Sequence, residues 1–204
     1  MSDTPPRVGC VVLAAGGSTR FGSPKQLLSY EGEPLVRRAV AAAVEAGADP
    51  VVVVLGAHPG LVAETLPGLQ PVRAVVNRSW ESGLASSLNA GLREITDDGS
   101  CDGVLVMLAD QPLVDAASLR QLLSAFDSDH RLVAAEYAGV VGVPAVFGKE
   151  YFGELMELTG DAGAGAWLRE RSTEVTRIPM SHAAVDIDTP SDAVRLKGNR
   201  ESRR

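Results

Sequence analysis

Two patterns of apolar positions alternate along this chain, and the alternation predicts the fold. Residues 8–13, 51–55, 72–76 and 104–108 are short runs rich in Val and Leu, as strands covered on both faces of a parallel sheet tend to be. Between them, residues 34–46 have the spacing of an amphipathic helix ended by Gly47. Residues 60–66 form a shorter helical pattern stopped by Pro67, and residues 84–95 form a third. Strand, helix, strand in repetition predicts an α/β fold with a mainly parallel central sheet, helices on both faces and right-handed crossovers. The second half departs from this rule. Residues 131–137 and 143–147 flank a glycine-containing turn at 138–142, which predicts an antiparallel excursion beside the parallel strands. Helices at 150–158 and 163–171, a strand near 174–179 and a last helix at 190–196 complete the pattern. With no internal repeat or linker, one domain over residues 1–204 is expected, its ends at 1–6 and 198–204 being disordered tails.

Composition narrows the classes of function. The chain has 204 residues, 45% of them hydrophobic, yet no apolar run approaches the roughly 20 residues of a membrane span. Residues 1–7 have no signal-peptide hydrophobic region, so a cytoplasmic protein with no membrane partner is expected. A net charge of −7 opposes nonspecific nucleic-acid binding, which requires many Lys and Arg against phosphates. Local cations can still gather small anions. The basic stretch 197–204 can be read as a nucleic-acid arm or as a solvated terminus, and the acidic whole favours the second. Cys10 and Cys101 stand far apart with no C-x-x-C pattern and read as packing residues. His58, His130 and His182 occupy separate loop-like positions and read as surface histidines.

The densest chemistry lies at 13–25, Leu13-Ala14-Ala15-Gly16-Gly17-Ser18-Thr19-Arg20-Phe21-Gly22-Ser23-Pro24-Lys25. This glycine-rich turn on the end of the first strand carries two cations and no acid. Gly16, Gly17 and Gly22 allow backbone N–H groups to approach a ligand closely, and successive N–H groups make an anion-binding concavity. Arg20 offers a planar fork of donors to phosphate oxygens, and Lys25 a compact charge. The loop reads as a polyphosphate cradle. It is not a P-loop, because Ser23 and Pro24 separate Gly22 from Lys25 and no Ser or Thr follows the lysine. Nor is it the G-x-G-x-x-G fingerprint, because Gly16 and Gly17 are adjacent. A kinase or a dehydrogenase is therefore disfavoured.

Asp110 directly follows the apolar residues 104–109, so its carboxylate is expected at the carboxyl edge of the sheet, where open α/β sheets bind ligands. A polyphosphate there would call for a hard cation such as Mg²⁺, held by one or two carboxylates and phosphate oxygens. Asp188 offers the second ligand, and strand alternation would turn Asp186 and Asp188 to the same side. Both aspartates have other readings. Asp110 before Gln111-Pro112 is a good turn former, and Asp188 could cap the last helix.

The stretch 13–25 resembles the signature of nucleotidyltransferases that activate cofactors and sugars with a nucleoside triphosphate. Within that superfamily the chain is most similar to the molybdenum cofactor cytidylyltransferases, of the MobA-like family. The likeness continues through Asn77-Arg78-Ser79-Trp80-Glu81-Ser82-Gly83, Ser86-Ser87-Leu88, Asp110-Gln111-Pro112, Gly160-Asp161-Ala162-Gly163-Ala164 and Asp186-Ile187-Asp188-Thr189-Pro190. It implies a Rossmann-like nucleotidyltransferase fold and transfer of CMP from CTP to a molybdopterin-type phosphate, with pyrophosphate released.

The resemblance also implies roles. Asp110 and Asp188 become the Mg²⁺ pair, Lys25 and Arg20 the groups on the triphosphate, and Leu13, Ala14, Ala15, Gly16, Gly17 and Gly22 its loop. Asn77, Gly83 and Ser87 lie in the base and ribose region, where Trp80 reads as a stacking platform or a packing residue. Ala15, where guanylyltransferases usually carry a second glycine, implies CTP over GTP. Gly142, Pro144 and Asp161 fall on the acceptor side. The chain departs from the pattern at Gly165, where the resembling enzymes usually have Arg, and Arg169 lies one helical turn on. A molybdoenzyme or chaperone partner is implied in addition. The rivals are the same chemistry on another base or acceptor, such as a guanylyltransferase or sugar-phosphate nucleotidyltransferase, and a non-catalytic nucleotide-binding regulator.

Overall fold

The computed structural model describes residues 5–201 apart from 20, 70 and 98, with side chains described as far as Arg195. In chain order the elements are β1 (Val8–Ala14), β2 (Ser29–Tyr30), β3 (Glu33–Pro34), α1 (Leu35–Ala46), β4 (Val51–Leu55), α2 (Pro59–Ala63), β5 (Val72–Val76), α3 (Leu84–Thr96), β6 (Gly103–Leu108), α4 (Ala116–Ala125), β7 (Leu132–Tyr137), β8 (Val140–Gly148), α5 (Phe152–Glu157), α6 (Ala164–Glu170), β9 (Thr176–Pro179) and α7 (Pro190–Glu201). Seven strands form one sheet in the order β5-β4-β1-β6-β8-β7-β9. The pairs β5-β4, β4-β1, β1-β6 and β7-β9 are parallel. Strand β8 runs antiparallel to both its neighbours, β6 and β7. This is the α/β fold expected, mainly parallel with an antiparallel excursion in the second half.

Strand β1 shows why the apolar runs lack alternation. Cys10, Val12 and Ala14 face one core layer with Val36, Val40, Leu119 and Leu122 of α1 and α4. Val11 and Leu13 face the other, with Leu88 and Leu92 of α3, Leu155 of α5 and Trp167 of α6. Both faces of the strand are covered, so every residue along it is apolar or small. From β1 the chain passes to β4 on one side, whereas β6 lies on the other. The carboxyl ends of β1 and β6 therefore flank the crevice where open α/β sheets bind ligands.

Several elements differ from expectation. Helix α4 was missing from the pattern reading. Its start is marked by Asp115, whose side chain accepts from the Ser118 N–H at 2.8 Å, and Leu119 and Leu122 supply its buried face. The β7–β8 turn is tighter than residues 138–142, because Ala138 and Gly139 both take positive φ, 51° and 77°, which suits a two-residue hairpin. The extra residues appear instead as a register shift opposite Ala134 and Ala135. It leaves Val143 and Pro144 outside the ladder, where a residue without an N–H is tolerated. A second tight hairpin, β2–β3 across Glu31 and Gly32, was also unforeseen. Helix α2 stops three residues early, and Lys149–Tyr151 forms a separate 3₁₀ turn ahead of α5. Helix α7 runs on to Glu201, so residues 198–201 are helical, since propagation continues cheaply once a helix has started. Residues 1–4 and 202–204 of the expected tails lie outside the described residues. No helix among the described residues is long and apolar enough to cross a membrane.

Candidate functional site

A cavity of about 560 Å³ opens at the carboxyl ends of β1 and β6. Its floor is the end of β1 and the loop after it, through Leu13, Ala14, Ala15, Gly16 and Thr19, and one wall is Leu108, Ala109 and Asp110 at the end of β6. The opposite wall comes from the β5–α3 connection, with Trp80, Glu81, Gly83, Leu84 and Ser87, while Lys25, Gln26 and Asp161 complete it.

Lys25 brings the two aspartates together. Its Nζ lies 2.6 Å from Asp110 Oδ2 and 2.8 Å from Asp188 Oδ1. Burial opposes the ammonium charge, but attraction to Asp110 and hydrogen bonds to both carboxylates outweigh it, so the Lys25 pKa is raised above its ordinary value. Asp110 Oδ1 is buried with no hydrogen-bond partner among the described residues, an uncommon condition for a carboxylate oxygen. The segment carrying Asp188 forms no sheet ladder. It is held by the Ile187 N–H donating to the Asp110 carbonyl at 3.0 Å and by the fully buried Ile187 side chain. Asp186 on the near side of Ile187 is pushed up in pKa by burial and by the charges of Asp110 and Asp188. Three carboxylates thus share one field. The cap of α7 falls to others: Asp192 Oδ2 accepts from Thr189 N–H at 2.8 Å and from its hydroxyl at 2.7 Å.

Small residues permit the close approaches around the cavity. A Cβ on Gly17 would lie 2.8 Å from the Trp80 ring, and one on Gly56 2.8 Å from both Ala15 Cβ and Trp80 Cβ. Trp80 is therefore both packed against the glycine loop and part of the cavity wall. Gly83, at φ 111°, precedes α3, and a Cβ there would fall on the Gly160 backbone. Gly83→Ala is expected to cost about 1–3 kcal/mol from overpacking, read as a fall of several degrees in Tm; an unchanged Tm would show that this contact is slack.

Residues 10–175 match the MobA-like NTP transferase domain. The chain belongs to the MobA-like NTP transferase family. Along nearly its whole length it is similar to the nicotine blue oxidoreductase of Paenarthrobacter nicotinovorans, 34% identical over 96% of this chain and 100% of that protein. Among solved structures it resembles Rv0371c of Mycobacterium tuberculosis H37Rv, 31% identical with a TM-score of 0.78 over 95% of this chain and 98% of that one. A complex of Rv0371c with manganese aligns at TM-score 0.74, 29% identical over 95% and 98%. A nucleotidyl transferase from Methanothermobacter thermautotroptrophicus aligns at TM-score 0.80, 25% identical over 97% and 99%.

In this MobA-like transferase a second cavity of about 230 Å³ shares Leu13, Leu84, Leu108 and Asp161 with the first. Tyr137, Gly142, Val143, Gly165 and Arg169 line its far side. A Cβ on Gly165 would lie 3.6 Å from Arg169 Nη1, so the guanidinium one turn on lies over the glycine. Pro144 stands in the bulge and is not among the lining residues.

The sequence-based site is thus gathered in part. Leu13, Ala14, Ala15, Gly16, Lys25, Gly83, Ser87, Asp110 and Asp161 border the larger cavity, and Asp188 reaches Lys25. Gly17 and Gly22 shape the loop instead, Gly22 by its φ of 78°. Asn77 lies behind the wall. Its Nδ2 donates to Ser86 Oγ at 2.8 Å and Ser87 Oγ at 3.0 Å, and its Oδ1 accepts from Ser79 N–H at 2.9 Å. It braces the β5–α3 connection because its amide is spent internally. Arg20 lies outside the described residues. Two residues had no site role in the sequence reading: Gln26, and Gln111, whose Nε2 donates to the carbonyls of Val143 at 3.2 Å and Ala183 at 2.8 Å. Gln111 ties the second cavity and the segment leading to Asp188 to the end of β6. A glutamine beside a candidate charge and followed by apolar residues was the available signal. Cys10 is fully buried, which pushes its thiol pKa far up, and both cysteines are buried thiols outside any disulfide. His182 Nε2 lies 2.8 Å from Ser118 Oγ, away from both cavities.

Proposed function

We propose that this transferase moves CMP from CTP to the phosphate of a molybdopterin-type cofactor and releases pyrophosphate. The observation that carries the reading is the meeting of Lys25, Asp110 and Asp188 beside the glycine loop, in a cavity of about 560 Å³. An acceptor phosphate oxygen attacks the α-phosphorus, the bond from that phosphorus to the oxygen bridging to the β-phosphate breaks, and pyrophosphate leaves with the electron pair. The acceptor phosphate is already anionic near neutral pH, so no side chain need remove a proton, and catalysis reduces to positioning and charge stabilisation.

Asp110 and Asp188 fit a hard divalent cation. Asp110 Oδ1 is buried and unpartnered, and among the described residues no set of three or more His, Cys, Asp or Glu is arranged for a metal. Two carboxylates with phosphate oxygens and water filling the remaining positions are what Mg²⁺ prefers. Mg²⁺ bound there would neutralise charge on the α-phosphate and the leaving pyrophosphate. Lys25 then serves the α-phosphate, and the backbone from Ala14 to Thr19 holds the β- and γ-phosphates. Ala15 lines the cavity where guanylyltransferases usually carry a second glycine, which supports a pyrimidine over a purine. The second cavity takes the acceptor, with Arg169 serving in place of an arginine at 165.

Pyrophosphate release measured with CTP, GTP and ATP against molybdenum-loaded molybdopterin tests base and acceptor together. Release with CTP and acceptor, and little with the others, is the expected result. Release with GTP alone would move the reading to a guanylyltransferase, and release with none would end it. The full-length similarity to nicotine blue oxidoreductase favours a second reading, in which the same cradle holds the pyrophosphate of a hydride-carrying dinucleotide. Oxidation of a reduced nicotinamide cofactor by nicotine blue, with no pyrophosphate formed from any triphosphate, would select it.

A further inference from the structure

Gln26 is 4% exposed although it stands next to the most charged part of the site. Its side chain crosses the base of the glycine loop. Nε2 donates to the Ala14 carbonyl at 3.1 Å and to the Gly16 carbonyl at 2.6 Å, while Oε1 accepts from Ser18 Oγ at 3.2 Å. Ser18 Oγ in turn accepts from the Lys25 N–H at 3.0 Å. Ser18 itself takes a positive φ of 53°, a conformation that costs a non-glycine residue and persists only where its surroundings impose it. The Ser18 carbonyl accepts from the N–H groups of Phe21 and Gly22 at 2.9 and 3.1 Å.

One amide and one hydroxyl thus join residues 14, 16, 18 and 25. Two consequences follow for an anion in the cavity. The carbonyls of Ala14 and Gly16 are directed at Gln26, so their negative ends are withdrawn from the space a phosphate would occupy. The backbone of Lys25 is fixed to the loop, so its ammonium reaches Asp110 and Asp188 from a set position.

We propose that Gln26, with Ser18, is the positioning residue of the triphosphate cradle, holding the loop in its anion-accepting form and Lys25 in register with it. Gln26 acts through the loop backbone. The inference rests on the nucleotide reading above and deepens it by assigning the pre-organisation of the phosphate subsite to a residue of neutral charge.

The test compares wild type with Gln26→Met, Gln26→Glu and Ser18→Ala by titration calorimetry, with inorganic tripolyphosphate, CTP and cytidine as probes, each with Mg²⁺. Gln26→Met keeps the volume and loses both donors. Gln26→Glu keeps the shape and sets a carboxylate against two carbonyls. Both are expected to raise the Kd for tripolyphosphate and CTP by about tenfold or more, as loss of two hydrogen bonds predicts, and to leave cytidine unchanged. Ser18→Ala, partly exposed and free of the folding risk at Gln26, is expected to raise the same two constants about threefold. Combined with Gln26→Met it should add less than its separate effect, because the two residues act as one unit. Wild-type tripolyphosphate affinity in Gln26→Met overturns the proposal, as does an equal loss for cytidine, which would mark a general disturbance. Should Gln26→Met fail to fold, wild-type affinity in Ser18→Ala overturns it alone. A wild-type protein that binds neither CTP nor tripolyphosphate removes the nucleotide reading and this inference together. CTP binding by wild type with unchanged variants removes only the inference.

Discussion

Asp110→Ala is expected to lower metal-dependent turnover by about 10³-fold while the protein remains folded. The two halves of this result have separate physical origins. Turnover falls because Asp110 supplies the most buried oxygen of the carboxylate pair, and Asp188 alone is a weak anchor for a hydrated divalent cation. Folding survives because the contact that holds the Asp188 segment is made by the Asp110 carbonyl to Ile187 N–H, which alanine retains. Moreover, the side-chain Oδ1 is buried without a partner, and removing such an atom relieves a desolvation cost. The checks are pyrophosphate release under saturating Mg²⁺, Mn²⁺ binding followed by paramagnetic relaxation, and thermal unfolding. Turnover near the wild-type rate would remove the metal role of Asp110.

Lys25→Met is expected to act in opposite directions on two observables. Turnover should fall by about 10² to 10³, the usual consequence of removing one charge-stabilising group. Divalent metal binding without nucleotide should become tighter, because the ammonium at 2.6 and 2.8 Å from Asp110 and Asp188 neutralises the two carboxylates that would hold the metal and repels a second cation beside them. Without the lysine two carboxylates face each other uncompensated, so Tm should drop in metal-free buffer and recover on adding Mg²⁺, as linkage to a ligand of the folded state requires. Weaker metal binding in the variant would mean that Lys25 supports the cation site rather than competing for it.

Much of the architecture was legible because it follows from local rules. The uninterrupted apolar runs at 8–13, 51–55 and 104–108 announced strands covered on both faces, and Gly47 ended α1 with φ 95° as a helix-terminating glycine should. What escaped was of three kinds. Helix α4 escaped because the turn signal of Asp110-Gln111-Pro112 lies just ahead of its cap at Asp115. The hairpin at Glu31-Gly32 and the tightness of the turn at Ala138-Gly139 depend on non-glycine residues in left-handed backbone, which composition does not announce. The bulge at Val143 and Pro144 is a property of two paired strands.

The candidate site divides along a similar line. Lys25 and Asp110 could be picked out singly because Lys25 closes the glycine loop that follows β1 and Asp110 stands just past the end of β6, where a charge has no packing purpose. Asp188 could be read equally as a helix cap, and the choice was made by distance: Thr189 and Asp192 cap α7 between themselves, while Asp188 reaches across 163 residues of chain to Lys25. Asn77 looked like a base-reading residue and proved to be spent on Ser79, Ser86 and Ser87. Gln26 and Gln111 could be marked only by their place beside a charge, and their duties stayed hidden because an amide's role is set by which carbonyls surround it.

By itself, then, the order of amino acids determined the layered α/β architecture, the place of the glycine loop on the end of the first strand, and the kinds of charge set there. These follow from periodicity and backbone preference, which act over a few residues. Only the tertiary structure decided which carboxylates share Lys25, which polar side chains line the cavity and which brace it, and that Arg169 overlies Gly165. Those outcomes depend on distances between segments remote in the chain, and such distances exist only once both core layers have closed on the sheet.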